Sequence, residues 1–256
     1  MNRLQGVFDQ GRAFIPFITA GDPSLALTEK LVLQLAAAGA DLIELGIPFS
    51  DPVAEGDVIQ AADARALANG YTTDTLFAMI RRIRTSSPVP IALMTYVNPI
   101  FVFGTDRFMK NCHECSIDAV IVPDVPYEEK DELLLQCRKH GITLISMIAP
   151  TSQQRIQMIA REAEGFVYCV SSLGVTGVRR SLDSEVEKMI RLVKEVKDIP
   201  CAVGFGISTP EQAVEMAQAA DGIIVGSAIV KIVEQYGHAC VPHVVEYVKM
   251  MKQAIG

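Results

Sequence analysis

A glutamate inside an apolar run is the first residue of this chain with chemistry to offer. Leu42-Ile43-Glu44-Leu45-Gly46 reads as a buried strand and breaks at once into Ile47-Pro48-Phe49-Ser50-Asp51-Pro52. A carboxylate taken out of water is unfavourable unless it finds a partner or takes up a proton. On a strand of period two, Leu42 and Glu44 share one face, with Asp41, Ile43 and Leu45 on the other. Desolvation on the inner face would raise the Glu44 carboxyl by up to ~3 pKa units, toward the range of a proton donor and acceptor near neutrality. No lysine or arginine stands among the expected strand ends to make Glu44 half of a structural ion pair. The loop that follows adds Ser50, Asp51 and a second acid, Glu55.

A different chemistry belongs to the glycines late in the chain. Gly204-Phe205-Gly206-Ile207-Ser208 and Val225-Gly226-Ser227-Ala228 each follow an aliphatic run and lead into a helix start. Bare N–H groups at two neighbouring helix N-termini make a pocket for a dianion such as a phosphate ester. Upstream, residues 171–180 (SSLGVTGVRR) form a long glycine-bearing connection between strand and helix, as a mobile lid over such an ester would.

These residues need elements to hold them, and the chain alternates throughout. Aliphatic runs at 13–18, 41–45, 90–94, 119–122, 143–148, 165–170, 201–204 and 222–225 are separated by amphipathic patterns at 24–38, 57–68, 73–84, 105–115, 128–139, 152–163, 184–197, 210–219 and 241–254. Eight strand runs each followed by a helix give the count of a closed (β/α)8 TIM barrel, an α/β fold, spanning residues 1–256 as a single domain. Asp22-Pro23-Ser24, Thr72-Thr73-Asp74 and Thr209-Pro210-Glu211 supply helix starts, while Gly39, Gly70, Gly141 and Gly165 stand where helices should stop. A doubly wound open sheet shares the alternation, but Ala20-Gly21-Asp22-Pro23 is not the glycine-rich first turn it would carry. In a barrel the active site lies at the C-terminal ends of the strands, where Glu44 and both glycine turns fall.

Composition narrows the partners. A net charge of -7 disfavours a nucleic-acid surface. Arg81, Arg82 and Arg84 sit near the end of a helical pattern, where cations complement the helix dipole. No run approaches the ~18 apolar residues of a membrane span, and the first residues do not resemble a signal peptide. The six cysteines stand mostly as singletons in apolar context, as reduced thiols in a cytoplasm would. Cys112-His113-Glu114-Cys115 spells C-x-x-C, but no second pair completes a zinc site, so no metal site is expected.

Taken in order, Phe17-Ile18-Thr19-Ala20-Gly21-Asp22-Pro23, Ile43-Glu44-Leu45-Gly46-Ile47-Pro48-Phe49-Ser50-Asp51-Pro52, Tyr96-Val97-Asn98-Pro99, Asp124-Val125-Pro126, Gly174-Val175-Thr176-Gly177, Gly204-Phe205-Gly206-Ile207-Ser208 and Gly226-Ser227-Ala228-Ile229-Val230 resemble the tryptophan synthase alpha chain family. The likeness covers nearly the whole chain, and the segment from Glu44 to Pro52 is its most specific part. It implies a lyase that cleaves indole-3-glycerol phosphate to indole and glyceraldehyde 3-phosphate in a retro-aldol step. It further implies an alpha2-beta2 assembly with a beta chain that takes the indole through a tunnel to make L-tryptophan. Pyridoxal phosphate would belong to that beta chain, with no cofactor in this one.

By the same resemblance Glu44 is the acid/base. Glu55 is the acceptor of the indole N–H, although the family usually has aspartate there and proline where this chain has Asp57. Glutamate reaches one methylene further than aspartate, and a displacement near 1 Å can cost ~100-fold in rate. Phe17, Ile59, Met94 and Tyr168 match the walls of the indole slot, and Gly177, Gly206, Gly226 and Ser227 match the phosphate donors. Thr176 matches a lid residue that touches the loop after the second strand, and Ser172 replaces an arginine often found where the lid begins. Asn98, Pro99 and Phe101 match a region that meets the beta chain. Two competing readings keep the fold: a barrel that mainly docks and regulates, its chemistry weakened by Glu55 and Asp57, and an isomerase of another sugar phosphate.

Overall fold

The computed structural model describes residues 3–170, 182–204 and 206–256. Among the described residues nine parallel strands form one sheet: β1 (Ala13–Thr19), β2 (Ile43–Gly46), β3 (Ile91–Met94), β4 (Ala119–Ile121), β5 (Thr143–Leu144), β6 (Ser146–Ile148), β7 (Val167–Val170), β8 (Cys201–Gly204) and β9 (Gly222–Val225). Their order is β5-β4-β3-β2-β1-β9-β8-β7-β6.

The two ends of that order are halves of one run. Thr143 and Ile145 donate backbone N–H groups to Asp118 and Val120 on the β4 side, whereas β6 is in register with β7. The run expected at 143–148 therefore breaks at Ile145 and bridges both ends of the sheet, which closes it into the TIM barrel. A ninth strand arises from that break, not from a ninth repeat.

Period two runs through the strands. Ala13, Ile15 and Phe17 of β1 point into one apolar cluster with Ala92, Met94, Ala119, Ile121, Tyr168, Ala202 and Ile224. Phe14, Ile18, Ile43, Leu45, Val120, Val203 and Ile223 point into another, shared with the helices. The first cluster is the barrel interior and the second the layer beneath the helix ring, which is why nearly every strand position is apolar.

The helices are α1 (Leu25–Ala37), α2 (Asp57–Ala68), α3 (Thr73–Arg84), α4 (Val97–Phe103), α5 (Thr105–Glu114), α6 (Asp131–His140), α7 (Gln153–Glu162), α8 (Leu182–Lys194), α9 (Pro210–Ala217), α10 (Ser227–Tyr236) and α11 (Val241–Ile255). Their starts follow the cap signals: the side chains of Ser24, Thr72 and Thr209 accept N–H groups from Leu27, Thr75 and Gln212. Gly141, at φ +70°, ends α6 in the left-handed region. Two helices lie outside the periodic patterns of the sequence: α4, which starts within three residues of β3, and α10, which starts directly after Gly226.

At the N-terminal ends of the strands three aspartates act as clamps. Asp41, Asp118 and Asp221 accept the backbone N–H groups of Phe14, Ile91 and Cys201 at 2.7, 2.9 and 2.8 Å. Each pairs with a cation, Lys252 at 2.8 Å, Arg3 at 3.0 Å and Lys194 at 3.0 Å. The arginines at the end of α3 are likewise structural: Arg81, Arg82 and Arg84 reach Glu114, Glu29 and Asp118. The acids of this end are committed to holding strands together, which leaves chemistry to the opposite end.

Candidate active site

Glu44 stands on β2 between Phe17 of β1 and Ala92 of β3, its Cα partners in the two neighbouring strands. Since Phe17 and Ala92 face the barrel interior, so does Glu44. The residue is 1% exposed, and neither carboxyl oxygen has a hydrogen-bond partner among the described residues. Burial pushes its pKa up to about 8, so the group holds a proton at neutral pH.

The four residues expected to wall the slot share one buried cluster. Phe17, Ile59, Met94 and Tyr168 are all buried and belong to the interior cluster. Burial, and then the Glu44 charge, raise the Tyr168 hydroxyl well above its ordinary value. Two strand-end glycines let the rings in: a Cβ on Gly46 would lie 2.5 Å from the Phe17 ring, and one on Gly204 would lie 2.6 Å from the Tyr168 hydroxyl.

The loop after β2 is fastened to its neighbour. Ile47 donates its N–H to the Met94 carbonyl at 2.8 Å, and Ala54 donates its N–H to the Tyr96 hydroxyl at 2.9 Å. The Phe49 ring packs on Tyr96 at 5.3 Å between centroids. Glu55, half-buried, follows the second anchor, and its backbone carbonyl accepts from the Gln60 side-chain amide at 2.7 Å. Its Oε2 is buried with no partner. Burial first, then the neighbouring Asp63 charge, push Glu55 up to about 8, with a smaller contribution from Glu44. Glu44 and Glu55 are thus brought to one site, each with an oxygen left free.

The late glycine turns follow neighbouring strands. Strands β8 and β9 are parallel neighbours, with Ala202 beside Gly222 and Val203 beside Ile223, so the turns beyond them leave the barrel side by side. Gly206 is exposed at φ +78°, Gly226 is the N-cap of α10, and Ser227 is its first residue, exposed to solvent. N–H groups at such a helix start favour an anion. Thr176 and Gly177, with the rest of the 171–181 segment, lie outside the described residues.

Asn98, Pro99 and Phe101 fall on α4, where Asn98 is exposed, Pro99 half-buried and Phe101 46% exposed. Val102 on the same helix and Val53 on the loop after β2 are each at least 80% exposed, 80% and 82%. No group of His, Cys, Asp and Glu that could hold a metal occurs among the described residues. Cys112 and Cys115 are buried thiols, and Cys115 donates to the Phe77 carbonyl at 3.6 Å.

Two residues of the site escape a reading confined to strand ends. Tyr96 anchors the loop, and the buried Asp63 accepts the Phe49 N–H of that loop at 3.5 Å. Asp63 did leave a signal, because it occupies the apolar face of α2 with Ile59, Ala62 and Ala66, where an acid is out of pattern.

With this geometry in place, residues 6–255 match the family described as Tryptophan synthase alpha chain. A tryptophan synthase alpha chain of Shouchella clausii (strain KSM-K16) is 50% identical over 239 residues, covering 93% of this chain and 88% of that protein. The crystal structure of tryptophan synthase subunit alpha from Legionella pneumophila str. Paris superposes with a TM-score of 0.90 at 38% identity, covering 100% of this chain and 98% of that one. A chain of the tryptophan synthase a2b2 complex from Pyrococcus furiosus superposes with a TM-score of 0.88 at 36% identity, covering 95% and 98%.

Proposed function

The chain belongs to the tryptophan synthase alpha chain family, and from that membership we propose how its residues perform the family's reaction. It is a lyase that cleaves indole-3-glycerol phosphate, and its partner is a beta chain. The observation that carries the reading is Glu44, buried on the barrel's inner face with both carboxyl oxygens unpartnered.

In the proposed cycle the Glu44 carboxylic acid gives its proton to the indole ring carbon that bears the side chain. The ring becomes cationic and can accept an electron pair. Glu44, now a carboxylate, takes the proton of the adjacent side-chain hydroxyl as the carbon–carbon bond breaks. The bonding pair returns to the ring, indole and glyceraldehyde 3-phosphate part, and Glu44 is again protonated. A pKa pushed up to about 8 suits both halves, since the group starts as an acid at neutral pH and its conjugate base is strong enough to recover a proton.

Glu55 accepts the indole N–H through its free Oε2 and supports the ring's positive charge. Phe17, Ile59, Met94 and Tyr168 wall the indole and keep water away. Backbone N–H groups at Gly206, Gly226 and Ser227 hold the phosphate. By resemblance Thr176 closes over the site and Gly177 completes the phosphate ring. The region of exposed Asn98, half-buried Pro99 and exposed Phe101 meets the beta chain, which receives the indole.

We further read residues 1–256 as one domain, a reading supported by strands and helices that alternate from β1 to α11 around a single barrel. No cofactor is assigned to this chain, because two carboxyl groups suffice for the proton transfers, and pyridoxal phosphate is assigned to the beta chain. A cytoplasmic site of action is in keeping with six buried cysteines held as thiols. No helix among the described residues is long and apolar enough to cross a membrane. Turnover of indole-3-glycerol phosphate, measured with and without a beta chain, tests the reading, and cleavage no faster than background in the complex would remove it.

A further inference from the structure

Strand β1 carries a polar group in the same situation as the two acids. Along it Ala13, Ile15 and Phe17 face the barrel interior, so Thr19, two residues beyond Phe17, faces the same way at the C-terminal end of the strand. Thr19 is 2% exposed, and its Oγ1 is buried with no hydrogen-bond partner among the described residues. A preference for β structure accounts for a threonine in a strand. It does not account for a hydroxyl turned inward and left unpaired, which is unfavourable by about 1–3 kcal/mol and which valine would avoid in the same space. Both Glu44 oxygens and Oε2 of Glu55 are buried and unpartnered in the same way, so one ligand that reaches all three residues would supply each with a partner.

The place of β1 in the sheet tells where that hydroxyl stands. β1 lies between β2, which carries Glu44, and β9, which runs into Gly226 and Ser227. Thr19 is level with Gly46, two residues past Glu44. One step below it the Phe17 ring spans the strand end: a Cβ on Gly46 would meet the tip of the ring at 2.5 Å, and one on Gly226 would meet its near edge at 3.3 Å. Neighbouring strands are ~4.8 Å apart, so β2 and β9 are separated by roughly 10 Å. A substrate with its ring at Glu44 and its phosphate at the start of α10 must lay its linking carbons across the end of β1, where Thr19 is.

Besides its phosphate, indole-3-glycerol phosphate has the ring N–H, a hydroxyl on the carbon bonded to the ring, and a hydroxyl on the next carbon. Glu55 takes the first and Glu44 the second. We propose that Thr19 binds the third, the middle hydroxyl that passes unchanged into glyceraldehyde 3-phosphate. The proposal deepens the lyase reading and rests on it. A threonine hydroxyl donates and accepts at once, which suits another hydroxyl. With the phosphate held at one end, a contact at the middle carbon fixes the turn of the chain and keeps the bond to be broken against Glu44. It also makes Thr19 a specificity determinant, because a chain without the middle hydroxyl leaves a buried polar group unpaired.

The test compares Thr19→Val and Thr19→Ser with the unmodified chain, each in complex with a beta chain. Valine keeps the branched shape and removes the hydroxyl, whereas serine keeps the hydroxyl. In Thr19→Val, kcat/KM for indole-3-glycerol phosphate should fall ~10-fold or more, while the inhibition constant of indole-3-propyl phosphate, whose chain carries no hydroxyl, stays as it was. Thr19→Ser should recover most of the loss. Unchanged kcat/KM in Thr19→Val would overturn the proposal. So would an equal loss of affinity for the hydroxyl-free analogue, since Thr19 would then only shape the barrel. A substrate lacking just the middle hydroxyl closes the cycle: the unmodified protein should prefer the natural substrate by the factor that Thr19→Val loses, and Thr19→Val should not tell the two apart. Equal handling of both by the unmodified protein would contradict the contact without recourse to a variant. Failure of the lyase reading shows as no cleavage above background in the unmodified complex, whereas failure of the Thr19 assignment leaves that cleavage intact, so the two are distinguishable.

Discussion

The backbone N–H of Ala54 donates to the hydroxyl of Tyr96 at 2.9 Å, one residue before Glu55. Tyr96 begins the segment that leads from β3 into α4, so this bond ties the acidic loop of one barrel unit to the strand end of the next. Tyr96→Phe removes the acceptor and leaves the ring against Phe49. The expected cost is about 1 kcal/mol of stability and a fall of ~10-fold in kcat as Glu55 loses its fixed pose. Denaturant unfolding and steady-state cleavage assays check the two effects separately, and an unchanged kcat would detach the anchor from the chemistry.

Gly204 has no room for a side chain, since a Cβ there would lie 2.6 Å from the Tyr168 hydroxyl and 2.8 Å from its ring. Gly204→Ala must displace Tyr168, which is buried beside Glu44. Overpacking of this kind costs about 1–3 kcal/mol, and the tyrosine moves into the indole slot, so KM for indole-3-glycerol phosphate should rise along with the loss of stability. A variant with wild-type KM and melting temperature would show that Tyr168 has space to yield.

Arg65 holds a buried acid. Asp22, whose side chain is 2% exposed, depends on a two-pronged contact with Arg65 at 2.9 and 2.8 Å. Removing the arginine leaves that carboxylate desolvated and unpaired, and Arg65→Ala is expected to destabilise by about 3–5 kcal/mol. The exposed pair Arg107–Asp74 offers the contrast, with Arg107→Ala costing ~1 kcal/mol or less. Urea titrations of the two variants should separate widely, and equal effects would show that Asp22 finds solvent or another cation.

Much of this was legible in the sequence because strands of a barrel must alternate between an interior and a helix layer, and Glu44 sits in phase with Leu42 and Phe17. The break at Ile145 was not legible, since it follows from closure of the sheet and not from any local preference. Helix α4 was hidden because Val97-Asn98-Pro99-Ile100-Phe101-Val102-Phe103 is short and apolar all round, with Phe101 and Val102 exposed. Helix α10 was legible only as a helix start after Gly226, because Ser227–Tyr236 was not picked out as a periodic segment. Asp63 required knowing which face of α2 points inward, and that is decided by the packing of the helix against the barrel.

The burial of Glu44 also sets a pH dependence of stability. Its pKa rises from 4.5 to about 8 on folding, so between those values the folded state binds more protons than the unfolded one. Stability from this group is therefore full below pH 4.5 and declines as pH rises toward about 8. Glu44→Gln abolishes the titration. The variant's unfolding free energy relative to the unmodified protein should climb through that window, toward a ceiling of roughly 5 kcal/mol. A difference that does not vary with pH would mean that Glu44 is solvated.

The most direct test of the whole account is the cleavage rate of Glu44→Gln in complex with a beta chain. Glutamine keeps the shape of the side chain and cannot exchange a proton, so the account predicts a folded barrel that still binds indole-3-glycerol phosphate and turns it over at least ~100-fold more slowly. Near-normal turnover by the folded variant would contradict it and assign the proton transfers to another residue.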